Sequence, residues 1–147
     1  MSLFVDGLSP GTLYFRYGRR TPPVVSEADI ARICNPDPDR MIGYVAHQWI
    51  DSVETLFGMG RIECDATKRQ CEFVIVVGDA WQGAGVGRAL MSQLIHAARV
   101  WGVDRMYGDT LPSNHSMHHF CEKLGFVREH SNAMPGLVRM QIDFSQE

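Results

Sequence analysis

Residues 73–90 read FVIVVGDAWQGAGVGRAL and decide how the chain folds. The apolar, β-branched run that opens this stretch predicts a buried strand. A glycine-rich turn follows, and apolar residues then recur at helical spacing. Because Gly83, Gly85 and Gly87 lack Cβ atoms, the backbone of the turn can approach a ligand closely. The N–H groups at the start of the helix favour an anion, so the stretch predicts a cradle for a phosphate group.

The spacing of the glycines distinguishes this cradle from two common nucleotide-binding motifs. A dinucleotide fingerprint that starts at Gly83 needs a glycine at position 88, where Arg88 stands. The Gly-Lys-Ser/Thr ending of the Walker A motif occurs nowhere in the chain. The loop reads instead Gln82-x-x-Gly85-x-Gly87, followed directly by Arg88.

A second sequence block lies downstream of the glycine loop. Residues 112–117 read PSNHSM, and residues 121–126 read CEKLGF. Together with the loop, this block resembles the GNAT N-acetyltransferase superfamily, whose acyl-CoA pyrophosphate loop reads Q/R-x-x-G-x-G/A. More narrowly, residues 8–17 (LSPGTLYFRY) and 39–41 (DRM) are similar to the acetyltransferase domain of bacterial protein-lysine acetyltransferases.

The composition is that of an ordinary globular protein. Hydrophobic residues make up 45% and charged residues 21% of the 147 residues, enough for one domain, residues 1–147, around one core. The net charge of −3 provides no basic surface for nucleic acid or an anionic membrane. The four cysteines lack zinc-ligand spacing, and no signal peptide or long apolar run is present. We therefore expect a cytoplasmic protein with reduced thiols and no bound metal.

Hydrophobic periodicity and turn signals predict the order of the elements. Short helices are predicted at 9–18 and 26–34, and the short segment before Ser9 leaves the family's opening strand very short or missing. Three strands joined by short connections, and therefore antiparallel, are predicted at 42–49, 54–64 and 71–77. A helix at 86–101 then crosses over to a strand that lies parallel to the third, at 105–110. A helix at 115–124 and two final strands at 126–129 and 137–144 complete the chain.

The resemblance implies an α/β fold and a site for acetyl-CoA. It implies a GNAT acyl-CoA N-acyltransferase fold, with a mixed, mostly antiparallel sheet flanked by helices and two central strands that splay apart around the pantetheine arm. Backbone groups of Ile75 and Val77 would pair with that arm. Asn114 matches the family's asparagine near the pantetheine, although a plain helix N-cap explains it equally well. The pyrophosphate would be held by the loop residues Gln82, Gly83, Ala84, Gly85, Val86, Gly87 and Arg88.

Transfer to an amine requires a neutral nitrogen, because an ammonium group has no lone pair. A carboxylate that takes the proton, often through water, is the usual solution. Glu72 matches the glutamate that acts as general base in lysine acetyltransferases, and the alternative is a strand-end glutamate in solvent. Cys121 occupies the position of the family's acidic tyrosine, and we expect a buried core cysteine there. Three histidines fall on the predicted helix at 115–124. We expect them to lie on a solvated face and not to form a metal site: His115, His118 and His119.

The sequence thus predicts an N-acetyltransferase that moves the acetyl group of acetyl-CoA to a primary amine by direct attack in a ternary complex. The acceptor is a protein lysine or a small-molecule amine, and both stay open. Two other hypotheses are a non-catalytic acyl-CoA-binding sensor and a nucleotide-binding protein. An exposed sheet edge would also allow a homodimer.

Overall fold

The computed structural model describes residues 38–131 and 135–146, which form a six-stranded sheet with two α-helices. The helices are α1 (Val86–Val100) and α2 (His115–Lys123), and a 3-10 helix covers Asp79–Trp81. The strands are β1 (Met41–Ile50), β2 (Val53–Cys64), β3 (Gln70–Val77), β4 (Arg105–Thr110), β5 (Val127–His130) and β6 (Val138–Asp143). Neither α-helix of this part of the chain is long and apolar enough to cross a membrane.

The strand order is β1-β2-β3-β4-β6-β5. Every neighbouring pair is antiparallel except β3 and β4, which are parallel because α1 carries the chain from one end of the sheet back to the other. The mixed, mostly antiparallel sheet predicted from the sequence is therefore confirmed. Within the described residues, each predicted element differs from the observed one by at most one residue at either end. The helices predicted at 9–18 and 26–34, and the opening strand, lie outside the described residues.

The core lies between α1 and the sheet. The apolar stripe of α1 is buried against β1, β2 and β3. In β3 the side chains alternate, so that Cys71, Phe73 and Ile75 are buried while Glu72 is exposed on the opposite face. The strand that forms the core therefore also presents a carboxylate to the other side of the sheet.

Two cysteines form a disulfide bond, and the prediction of reduced thiols is wrong for this pair. Cys64 of β2 and Cys71 of β3 stand directly opposite each other, with their Cα atoms 4.0 Å apart. Both are buried in the core. The turn between them is closed by Asp65, whose carboxylate accepts hydrogen bonds from the Thr67 hydroxyl at 2.9 Å and the Arg69 N–H at 3.1 Å. The hairpin register brings the sulfur atoms together, which the spacing of cysteines along the sequence does not reveal.

Candidate active site

The strands β3 and β4 separate after a short paired segment. Their parallel pairing covers Gln70–Glu72 of β3 and Arg105–Tyr107 of β4, although β3 continues to Val77 and β4 to Thr110. A cavity of about 630 Å³ opens where the pairing stops. The predicted splaying of the two central strands is thereby confirmed. The lining residues come from both strands, the glycine loop and α2.

The backbone of β3 presents alternate residues to the cavity. The N–H of Gly78 donates to Phe57 on β2, and the C=O of Gln70 accepts from Asp65 at the start of the turn after β2. Because successive residues of a strand point their backbone groups to opposite sides, the even-numbered residues of β3 face β2 and the odd-numbered ones face the gap. Phe73, Ile75 and Val77 are the odd-numbered residues beside the cavity. The structure thus directs the backbone of Ile75 and Val77 into the space predicted for pantetheine.

The glycine loop closes one end of the cavity. Gly83 and Gly85 have φ angles of +80° and +89°, in the left-handed region that favours glycine. Gly85 is the N-cap of α1, so the first N–H groups of that helix point toward the loop. The Gln82 side-chain amide donates to the Val77 carbonyl at 3.0 Å and to the Asp79 carboxylate at 3.2 Å. Gln82 therefore fixes the shape of the loop.

Most of the residues predicted to bind the cofactor lie around this cavity. Ala84 is exposed and Val86 packs against the core, and neither side chain lines the cavity. The helix N-terminus and the exposed Arg88 guanidinium bring positive charge to this end, where the Asp79 carboxylate also lines the cavity. The predicted residues that do line it are Ile75, Val77, Gln82, Gly83, Gly85, Gly87, Arg88 and Asn114.

Asn114 satisfies both interpretations of its sequence position. It is the N-cap of α2, and its side-chain oxygen accepts a hydrogen bond from the Met117 N–H at 3.3 Å. It is also buried and lines the cavity. Because the cap uses the carbonyl end of the amide, the Nδ2 end is the donor that this residue can offer to a ligand.

Glu72 stands at the opposite end of the cavity from the glycine loop. It pairs with Tyr107 in the last register position before the strands separate, and its side chain is exposed on the face away from α1. It does not line the cavity itself, which begins at the next residue, Phe73. Glu63 of β2 lies directly opposite Glu72 on the same face. Glu72 is therefore a carboxylate at the closed end of the gap and not within it.

A polar cluster beside Glu72 was not predicted from the sequence. The Arg139 guanidinium donates from Nε and Nη2 to both carboxylate oxygens of Asp109, at 2.9 and 3.0 Å, and lies 4.0 Å from the centre of the Tyr107 ring. The hydrogen bonds with Asp109 raise the pKa of Arg139. Burial raises the pKa of Tyr107, and the negative charge of Glu72 raises it further. Asp109 also lines the cavity. Asp109 and Tyr107 are two residues apart in β4 and therefore lie on the same face of the sheet. This spacing is the only sequence signal that could have indicated the cluster.

Cys121 belongs to the core, as predicted. Its side chain is fully buried, and burial raises the pKa of its thiol to about 12. A thiol with that pKa does not release its proton to a CoA thiolate, whose thiol ionises near pH 8.5 like other free thiols. Cys121 also does not line the cavity. The position at which many family members carry a tyrosine that protonates the leaving thiolate is thus occupied here by a packing residue.

One of the three histidines on α2 is buried, so the prediction of a fully solvated face is wrong for His118. His118 is 1% exposed, whereas His115 and His119 are exposed. Its Nε2 lies 2.8 Å from the hydroxyl of Thr110, and that hydroxyl donates to the Val138 carbonyl at 3.0 Å. Because the Thr110 hydroxyl donates its proton to the Val138 carbonyl, its oxygen must accept the hydrogen bond from His118. We therefore assign the Nε2–H tautomer to His118. Burial lowers the pKa of His118, so the neutral ring is favoured.

The histidines and carboxylates do not assemble a metal site in the part of the chain that the structure describes. No group of three or more His, Cys, Asp or Glu side chains within residues 38–131 and 135–146 could hold a metal ion. His118 is instead fixed by packing and by Thr110.

The chain is similar in sequence and in structure to known acetyltransferases. The profile of the acetyltransferase (GNAT) family matches residues 13–126. An acetyltransferase of Pseudomonas aeruginosa is 31% identical over 124 residues, which are 84% of this chain and 66% of that protein's length. The structure is similar to the GNAT domain of PAT from S. lividans, with a TM-score of 0.82 and 24% identity over 97% of this chain and 82% of that one. YncA from Salmonella typhimurium, solved with its cofactor acetyl-CoA, gives a TM-score of 0.53 and 26% identity over 60% of this chain and 58% of that one.

Proposed function

The chain belongs to the acetyltransferase (GNAT) family, and we propose that it transfers the acetyl group of acetyl-CoA to a primary amine. One observation carries this proposal. The gap between β3 and β4 runs from the glycine loop back to the last paired residues of the two strands, and Glu72 stands beside this closed end on the opposite face of the sheet. An extended thioester can therefore lie with its phosphates on the loop and its reactive carbon near a base.

Acetyl-CoA binding would use the backbone more than the side chains. The pyrophosphate would lie on residues 82–88, against the N–H groups at the start of α1, with Arg88 as the nearby cation. The pantetheine arm would pair with the backbone of Ile75 and the N–H of Val77, because the Val77 carbonyl already accepts from Gln82. The Nδ2 group of Asn114 would donate to a pantetheine carbonyl.

The chemistry would then proceed by direct attack. Glu72, directly or through water, takes a proton from the acceptor ammonium group, and the neutral nitrogen attacks the thioester carbonyl carbon. The C–N bond forms as the C–S bond breaks, and CoA leaves as a thiolate. The nitrogen then releases its extra proton to solvent, and the thiolate takes one up, so that the products are the neutral amide and CoA. Cys121 takes no part, because its thiol is buried in the core and holds its proton. Tyr107 is the register partner of Glu72, and the Arg139 guanidinium stacks on the Tyr107 ring.

The acceptor is best supported as a protein lysine, with a small-molecule amine as the second candidate. The motifs at 8–17 and 39–41 and the position of Glu72 favour lysine by their resemblance to lysine acetyltransferases. The proposed location is the cytoplasm, where a disulfide such as that between Cys64 and Cys71 is an uncommon feature.

A homodimer is a further part of the proposal. The described sheet has β1 at one edge, and this strand and its hairpin expose Val45, Trp49 and Val53. Exposed edges of this kind are pairing surfaces. Light scattering coupled to gel filtration gives the mass directly, and a monomer at high micromolar concentration would refute the dimer.

The experiment that tests the function is mass-detected acetylation by the wild-type protein. The acceptor panel contains spermidine, free lysine, a lysine-bearing peptide and a mixture of folded proteins, and acetyl-CoA binding is measured in parallel. We expect one acceptor class to gain acetyl groups in proportion to enzyme and time. Binding of acetyl-CoA without any product would favour the non-catalytic sensor, for which the loss of the family's tyrosine at Cys121 is the supporting observation. Preference for NAD or ATP over acetyl-CoA would favour the nucleotide-binding hypothesis.

A further inference from the structure

Phe73 closes the end of the cavity that lies farthest from the glycine loop. It directly follows Glu72, the last residue of β3 that pairs with β4. Its ring reaches across to β4, where a Cβ atom on Gly108 would stand only 2.5 Å from Cζ and 2.7 Å from Cε1 of the ring. Both residues line the cavity. Only a glycine at position 108 lets the ring lie against the β4 backbone, so the ring forms the closed end of the gap.

The ring is held firmly in this place. Phe126 packs against it edge to face, with the ring centroids 5.3 Å apart and the planes at 70°. Both side chains are buried, at 5% and 4% exposure. Phe126 does not line the cavity. Because both Gly108 and Phe126 lie against the ring, Phe73 cannot swing aside without disturbing the core.

The direction of β3 determines what would meet this ring. The glycine loop follows the C-terminal end of β3, and the four residue steps from Val77 back to Phe73 span about 13 Å. A CoA thioester with its phosphates on the loop must therefore point its acyl group toward Phe73. Each methylene added beyond an acetyl group would extend toward the buried ring.

We propose that Phe73, seated on Gly108, is the residue that restricts the site to short acyl groups. This inference rests on the proposed acyl-CoA site and adds the determinant of acyl length. Hydrophobic pockets commonly discriminate about tenfold or more for one methylene group that does not fit. A smaller side chain at position 73 opens space over Gly108 and toward Phe126, where a longer acyl chain can lie.

The test measures binding of unreactive S-alkyl thioethers of CoA, so that it does not depend on turnover. Calorimetry with S-ethyl-, S-butyl- and S-hexyl-CoA is carried out on wild type, Phe73→Leu, Phe73→Ala and the matched control Phe126→Leu. We expect wild type to bind S-hexyl-CoA at least about tenfold more weakly than S-ethyl-CoA. In both Phe73 variants this ratio should shrink by about tenfold or more, whereas Phe126→Leu, which removes a neighbour of the ring but keeps the ring itself, should change the ratio less than Phe73→Leu does. If Phe73→Ala does not fold, Phe73→Leu and its Phe126→Leu control carry the comparison.

Three results would overturn the inference and leave the proposed acyl-CoA site in place. Wild type could bind all chain lengths equally, the Phe73→Leu variant could keep the wild-type ratio, or Phe126→Leu could shift the ratio as much as Phe73→Leu does. Failure of every thioether to bind would remove the proposed acyl-CoA site and this inference with it. A length-dependent ratio in a protein that transfers no acetyl group would refute the proposed catalysis and still support the role of Phe73.

Discussion

Arg139 lies in a polar cluster on the sheet face beside the closed end of the cavity. Its bidentate hydrogen bonds to Asp109 and its contact with the Tyr107 ring fix three side chains on one face of the sheet. Glu72 pairs with Tyr107 on the same face. Arginine suits this position better than lysine, because its planar guanidinium can bind a carboxylate and stack on an aromatic ring at once. At the scale of single residues, the candidate base therefore stands next to a cluster of side chains that bind one another.

His118 makes the stability of the protein sensitive to acid. Burial lowers its pKa in the folded state, whereas in the unfolded chain it returns to about 6.5. The unfolded state then binds more protons below that pH, so the contribution of His118 is present above pH 6.5 and is lost as the pH falls below it. We expect the free energy of unfolding to fall by up to about 1.4 kcal/mol per pH unit from this group. Urea unfolding at pH 7.5, 6.5 and 5.5 measures the slope.

The control for this prediction is the exposed neighbour on the same helix. His118→Gln should flatten the pH dependence below 6.5, and His119→Gln should leave it as in wild type. An unchanged slope in His118→Gln would show that the acid sensitivity arises elsewhere.

The orientation of single side chains could be predicted from the sequence in some cases and not in others. Glu72 could be placed on the face opposite Phe73 by alternation alone, and the structure has it there. His118 could not be placed correctly, because a helical wheel built on apolar residues ignores a buried polar side chain. Its burial depends on the hydroxyl of Thr110, which comes from a neighbouring strand. A hydrogen-bond partner of this kind leaves no periodic signal in the sequence.

Among the elements, the junction of the glycine loop and α1 is the proposed phosphate site. Gly85 at the N-cap and Gly102 just after the helix both have left-handed φ angles, +89° and +72°. At neither position would a Cβ atom meet another atom within 4 Å. The two glycines therefore impose the same kind of backbone requirement at opposite ends of one helix.

Replacement of these glycines by alanine separates stability from binding. Gly85→Ala and Gly102→Ala should each lower the free energy of unfolding by about 1–2 kcal/mol, because both place an L-residue in the left-handed region. Only Gly85→Ala should weaken acetyl-CoA binding, because the strained loop adopts another shape in the free protein and must return to the binding shape. If this return costs about 1.4 kcal/mol, the affinity falls about tenfold. Calorimetric titration of both variants with acetyl-CoA measures the difference. Equal affinity of the two variants would contradict a role of the loop in binding.

The elements themselves were predictable because their signals are local. Apolar alternation, turn residues and helix caps give β3, α1 and β4 to within one residue. The point at which β3 and β4 separate was not predictable in the same way. It coincides with the contact between Phe73 and Gly108, which joins positions far apart in the sequence and appears only when the two strands are set side by side.

For the molecule as a whole, the disulfide bond between β2 and β3 adds stability next to the candidate site. Cys64 and Cys71 close a loop with a sequence separation of 7, for which loss of chain entropy in the unfolded state gives about 2 kcal/mol. We expect a reductant to lower the free energy of unfolding by about this amount. The Cys64→Ala/Cys71→Ala double variant should show no response to reductant.

Thiol counting offers a separate check on the same bond. Of the four cysteines, two are in the disulfide, so the denatured, unreduced protein should offer no more than two reactive thiols. Four reactive thiols, together with a stability that ignores reductant, would mean that the bond does not form. The sequence could not predict it because a separation of seven residues fits a hairpin pair only if the turn places the two cysteines in register.

The most direct test of the central claim compares Glu72→Gln with Glu63→Gln in acetyl transfer to the acceptor found for wild type. The two carboxylates are register partners on one face of the sheet, so the variants remove the same charge from adjacent strands. If Glu72 is the base, Glu72→Gln should lower kcat by about a hundredfold to ten-thousandfold with unchanged acetyl-CoA affinity, and Glu63→Gln should retain most of the activity. Equal turnover by wild type and Glu72→Gln, or an equal loss in both variants, would contradict the account.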